Sequence, residues 1–134
     1  MKRIFTSILL CLLARGLQAQ DLNSLKLSWV VTQLNDVKTQ KAASYNCVFE
    51  TNGKQNIFWK QGGGNYTVTM LVTNVSGFWP DVKTVGKVEY EISIDGERGT
   101  LTFERATSGV FITLDSPGSG IHHTYSVSQV NSFN

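Results

Sequence analysis

The sequence predicts an all-β domain, an eight-stranded antiparallel up-and-down barrel, with a β-sandwich as the rival arrangement. Three observations carry this. Apolar residues recur at every second position in one segment after another, the period of a strand with one buried and one wet face. Clusters of Gly, Asn, Asp, Ser and Pro separate those segments at short intervals. The connections keep the same face inward from strand to strand, and closing such a meander removes the two edges that it would otherwise expose.

The first segment is not a strand. Lys2 and Arg3 precede an apolar run from Ile8 to Ala14, followed by small residues at Gly16 and Ala19. The run is far shorter than the roughly 20 residues that span a bilayer, so residues 1–19 read as a secretory signal peptide, similar to the export signals of Gram-negative bacteria. Cleavage after Ala19 is preferred over cleavage after Gly16. Leu10 precedes Cys11 where a lipid-anchoring motif needs a small residue, which speaks against an anchor. The expected location is therefore outside the cytoplasm, periplasmic or secreted.

The remainder, residues 20–134, is expected to form one domain around a single core. The whole chain carries 12 basic and 10 acidic residues; without Lys2, Arg3 and Arg15 the balance is 9 against 10, a net charge of about −1. No basic stripe remains to attract a phosphate backbone, which argues against nucleic-acid binding. Cys47 is the one cysteine left after signal removal. It alternates with Tyr45 and Phe49, so a buried core thiol is favoured over a nucleophile or an intermolecular disulfide.

In chain order, Leu25, Leu27, Trp29 and Val31 alternate with polar or smaller neighbours as a first strand. The stretch 35–44 is polar and suits a short helix or a loop equally well. Tyr45, Cys47 and Phe49 lead into Thr51-Asn52-Gly53, with Ile57 and Trp59 beyond. A three-residue loop there pairs Cys47 with Ile57 and Tyr45 with Trp59, and a two-residue turn pairs Cys47 with Phe58; the first is preferred. Phe58 and Val48 leave room for a cover on the second face.

Gly62-Gly63-Gly64 is read as a turn, because no Lys-Ser or Lys-Thr follows to make it a phosphate cradle. Tyr66, Val68, Met70 and Val72 form the inward face of a fourth strand. The stretch 74–84 then reads as a long connection in which Phe78 and Trp79 either plug one end of the fold or present a binding surface.

Lys87 to Glu104 is the clearest hairpin. Val88, Tyr90, Ile92 and Ile94 alternate with charged or polar residues up to Asp95-Gly96, a type I′ turn signal. Its register sets Val88 opposite Phe103, Tyr90 opposite Leu101 and Lys87 opposite Glu104. A connection over 106–109 then aligns Phe103 with Ile112 and Leu101 with Leu114. Pro117 to Gly120 turns the chain into an eighth strand whose inward parity holds Ile121, His123, Tyr125 and Val127.

No enzyme signature accompanies these strands. The carboxylates show no repeated spacing, and His122 and His123 point to opposite faces of a strand, so the pair does not grip one metal ion. No Gly-x-Ser-x-Gly elbow is present. No cofactor is expected.

Leu27-Ser28-Trp29 in the first strand, eight strands in meander order and Tyr125-Ser126-Val127 in the closing strand resemble the small exported lipocalin-like barrels of bacteria, with Leu27 in place of the usual Gly. That resemblance implies a calycin-type barrel able to hold a small apolar molecule. The expected function is thus a non-catalytic binding module, with Trp29, Trp59, Met70, Tyr90, Phe103, His123 and Tyr125 lining the interior. The alternative is a structural or interaction domain with no pocket, meeting a protein or glycan at the Phe78-Trp79 loop.

Overall fold

A computed structural model describes residues 25–132. The predicted signal peptide, 1–19, lies outside the described residues. Eight strands follow one another: β1 (Lys26–Asp36), β2 (Lys41–Asn52), β3 (Ile57–Gln61), β4 (Tyr66–Phe78), β5 (Gly86–Ile94), β6 (Glu97–Ala106), β7 (Gly109–Ser116) and β8 (Ile121–Ser132). Each pairs antiparallel with the next, and β1 pairs with β8, so the sheet closes into a barrel and the sandwich is excluded. No helix among the described residues is long and apolar enough to cross a membrane.

The β5–β6 hairpin has the expected register, Val88 opposite Phe103 and Tyr90 opposite Leu101. Asp95 and Gly96 both have positive φ, 50° and 85°, as a type I′ turn requires. Phe103 faces Ile112 and Leu101 faces Leu114 across β6 and β7. These pairings put Val88, Tyr90, Ile92, Leu101, Phe103, Ile112 and Leu114 into the core, each at most 2% exposed.

Four expectations are corrected. The stretch 35–44 is neither helix nor long loop: β1 runs to Asp36 and β2 starts at Lys41. Asp36 makes the turn, its carboxylate accepting from the Lys38 amide at 2.9 Å and its carbonyl from the Gln40 amide at 2.7 Å. Between β2 and β3, Phe49 faces Trp59 and Cys47 faces Gln61, four positions away from the preferred register. The loop takes in residues 53–56, and Gln55 donates its amide to the Asn52 carbonyl at 3.0 Å. Because the shift is even, Cys47, Phe49, Ile57 and Trp59 keep their inward parity. Phe58 has no second layer over it and is 40% exposed. Finally, residues 74–78 are the end of β4 rather than a loop. The register with β5 shifts between Val72 and Asn74, leaving Thr73 as a bulge, and this turns Val75 inward.

The strands define two ends. At the lower end lie Leu25, the 53–56 loop, the 79–85 connection and the 107–108 turn; at the upper end, the turns at 37–40, 62–65, 95–96 and 117–120.

Candidate functional site

The interior is occupied by a continuous column of rings. From the lower end, Trp79 lies 5.7 Å from Trp29, and Trp29 lies 4.7 Å from Phe103, by ring centroids. Phe103 meets Tyr90 at 5.4 Å and Phe49 at 6.3 Å, both edge to face. Phe49 stacks on Trp59 at 5.5 Å and packs against Tyr125 at 5.4 Å. Tyr125 completes the column with Tyr45 at 6.0 Å and His123 at 6.2 Å. All these spacings are those of rings in direct contact.

The residues expected to line a cavity therefore divide. Trp29, Met70, Tyr90, Phe103 and Tyr125 are buried at 2% exposure or less. Trp29 Nε1 donates to Thr51 Oγ1 at 3.0 Å, a bond that explains why a threonine is buried here. Trp59 and His123 are half-buried toward the upper end, each in ring contact with Tyr125. Phe78 and Trp79 are also separated: Phe78 is 68% exposed on the outer face, whereas Trp79 is wholly buried and plugs the lower end. The sequence reading left Phe49 and Tyr45 out of the interior set, although they share the parity of Cys47.

His123 sits between two partners. Its Nδ1 is 3.5 Å from the Tyr125 hydroxyl and its Nε2 is 3.9 Å from Asp36 Oδ2. Cys47 lies below, and burial pushes its thiol up from 9.0 to about 11, with the Trp59 indole N–H opposing the shift. Burial also raises the Tyr45 and Tyr125 phenols, the charge of a Cys47 thiolate adding to both effects. At neutral pH the thiol and both phenols are thus protonated. Among the described residues no three His, Cys, Asp or Glu side chains are grouped to hold a metal ion.

A concavity lies on the outer face. It is a groove of about 580 Å³ lined by Thr73, Glu91, Arg98, Thr100, Asp115 and Pro117, together with Ile92 and Gly99. Its polar row is built by register: Glu91 faces Thr100, Thr100 faces Asp115, and Asp115 faces His122. Asp115 Oδ1 stands 3.5 Å from His122 Nδ1. Among the described residues neither the Arg98 guanidinium nor the Glu91 carboxylate has an ion-pair partner. Gly99 lets β6 and β7 approach closely here, since a Cβ would come within 2.7 Å of the Asp115 carbonyl oxygen.

No protein-family profile matches this chain, nor does any curated protein or solved structure.

Proposed function

We propose that this chain is an exported, non-catalytic binding domain whose barrel interior is structural and whose partner is met on the outer face. The column of rings from Trp79 to His123 carries this reading, because side chains in mutual contact leave their volume to one another rather than to a ligand. The outer groove offers carboxylates, a guanidinium and threonine hydroxyls, with no aromatic ring. That donor and acceptor set suits a polar, hydrogen-bonding partner such as a glycan or a hydrophilic segment of another protein. The absence of catalysis is supported by chemistry. The Cys47 thiol is held protonated, and His122 and His123 serve opposite faces of β8.

The test is a pair of titrations on the purified protein. An environment-sensitive apolar dye is followed by dye and tryptophan fluorescence, and a panel of oligosaccharides and hydrophilic peptides is followed by amide chemical shifts. The expected result is no saturable dye binding, with shifts centred on Glu91, Arg98 and Thr100 that are lost in Arg98→Ala. Saturable one-to-one dye binding, weakened by His123→Phe, would instead establish a lipocalin-like carrier and overturn the proposal.

A further inference from the structure

A second hollow lies beside Phe58, where β2 passes through the 53–56 loop into β3. It has a volume of about 320 Å³ and is lined by Asn52, Gln55, Asn56 and Phe58, none of which lines the groove of Glu91 and Arg98. That volume is at the small end of the range for ligand sites, about 300–1,000 Å³, and suits one ring-sized molecule rather than a length of chain.

Phe58 is 40% exposed, and its cross-strand neighbours are Glu50 on β2 and Thr69 on β4, so no apolar side chain stands directly opposite it on either side. A single exposed ring is ordinary on a protein surface. What distinguishes this one is its company. Asn52, Gln55 and Asn56 bring three carboxamides to the same hollow, each with two N–H donors and an acceptor oxygen. Two of them are held in place: Asn52 Nδ2 donates to Gln55 Oε1 at 3.1 Å, and the Gln55 backbone amide donates to the Asn52 carbonyl at 3.0 Å. That single side-chain bond leaves most of their hydrogen-bonding capacity to a ligand. No charged side chain lines the hollow, and the nearby Glu50 carboxylate is taken up by Lys60 Nζ at 2.7 Å. The ligand that matches is therefore neutral, with a flat apolar face and a rim of hydrogen-bonding groups.

We propose that this hollow binds one neutral pyranose unit of a glycan, Phe58 covering its C–H face and the carboxamides of Asn52, Gln55 and Asn56 pairing with its hydroxyls. A pyranose with equatorial hydroxyls has both required features. Its axial C–H bonds are slightly positive and meet the negative face of an aromatic ring. Each planar carboxamide sets a donor beside an acceptor, which fits two adjacent hydroxyls, since every hydroxyl both donates and accepts. A hydrophilic peptide could use the amides but has no flat apolar face to lay on Phe58. The site goes beyond the groove of the preceding section and does not depend on it.

The experiment is a titration of the isotope-labelled protein, followed by the side-chain NH₂ signals of Asn52, Gln55 and Asn56 and the Phe58 ring signals. The probes are cellohexaose, chitohexaose and methyl β-glucopyranoside, with sorbitol as a polyol lacking a ring and a Ser-Gly-Asn-rich hexapeptide as the protein-like probe. At least one saccharide is expected to give saturable shifts at these four residues, and sorbitol none. Phe58→Ala should weaken that binding by about tenfold or more, Phe58→Trp should retain or tighten it, and Asn56→Ala should weaken it several-fold. Phe58 and Asn56 are exposed, and circular dichroism checks that each variant is folded. Arg98→Ala should leave these shifts unchanged, which separates the site from the groove. Saccharide shifts confined to Glu91, Arg98 and Thr100 would overturn this proposal while supporting the groove. It would equally be overturned by no saturable response to any saccharide, by an equal response to sorbitol, by shifts at these residues with the peptide alone, or by binding indifferent to Phe58→Ala.

Discussion

The two ends of the barrel are made of the same kinds of side chain and finished differently. At the lower end Trp79 turns inside, fully buried, with its indole N–H donating to the Thr84 carbonyl at 2.9 Å. Arg105 ties the same connection down by donating its Nε to the Val82 carbonyl. Gly86 lies against the ring, and a Cβ there would come within 2.1 Å of Trp79 Cδ1. At the upper end Tyr45, Trp59 and His123 have the same inward parity yet stay half-buried. The difference comes from the connections. The seven residues of 79–85 are enough to send a side chain back over the core, whereas Asp95-Gly96 or Pro117 to Gly120 can only reverse direction. In a meander, loop length rather than strand composition decides which end is sealed.

Truncating the plug should therefore have the largest effect. Trp79→Ala is expected to cost about 3–5 kcal/mol, the range for a large buried aromatic. Trp59→Ala, at the open end, should cost clearly less, because part of that ring is already in water. Urea unfolding of the two variants makes the comparison, and equal losses would remove the distinction between the ends. Gly86→Ala should come next at about 1–3 kcal/mol, since the added methyl must displace the Trp79 ring. Thr51→Val tests the layer above the plug. It leaves the buried Trp29 indole N–H without its acceptor and should cost about 1–2 kcal/mol in the same assay.

The plug also shows what sequence could convey. Strand parity was legible wherever a strict alternation met a turn of one defined type, as at Asp95-Gly96, where every pairing from Lys87–Glu104 inward is found as expected. It became obscure where the turn was ambiguous. Thr51-Asn52-Gly53 supports several loop lengths, and Lys54, Gln55 and Asn56 could have ended either strand. Bulges hid the rest. The Thr73 bulge makes Val72 and Val75 share a face across a break in alternation, so the end of β4 looked like a loop. On β8 the register shift near Ser128 likewise brings Val127 and Val130 onto one side, with the Ser128 hydroxyl donating to the Val30 carbonyl at 3.3 Å. The outer groove was invisible for another reason: Glu91, Thr100 and Asp115 come from three strands, and each alone reads as an ordinary wet position.

The smallest expected effect concerns the chemistry just beneath the open end. Cys47 is 5% exposed, and burial raises its thiol from 9.0 to about 11. Between those values the unfolded chain has released a proton that the folded chain retains. The unfolded state then binds fewer protons than the native one, so stability falls as pH rises through the window and is unaffected well below 9. The slope can reach about 1.4 kcal/mol per pH unit for one such group. Urea midpoints at pH 8, 9 and 10 should therefore drop more steeply for wild type than for Cys47→Ala, the comparison being made on slopes because the substitution has its own constant cost. The phenols of Tyr45 and Tyr125 are also raised, and their ordinary value of 10.0 places their contribution mainly above this range. Parallel slopes would mean that water reaches the sulfur through the upper end, and the contrast between the sealed and open ends would then extend down to the Cys47 level of the core.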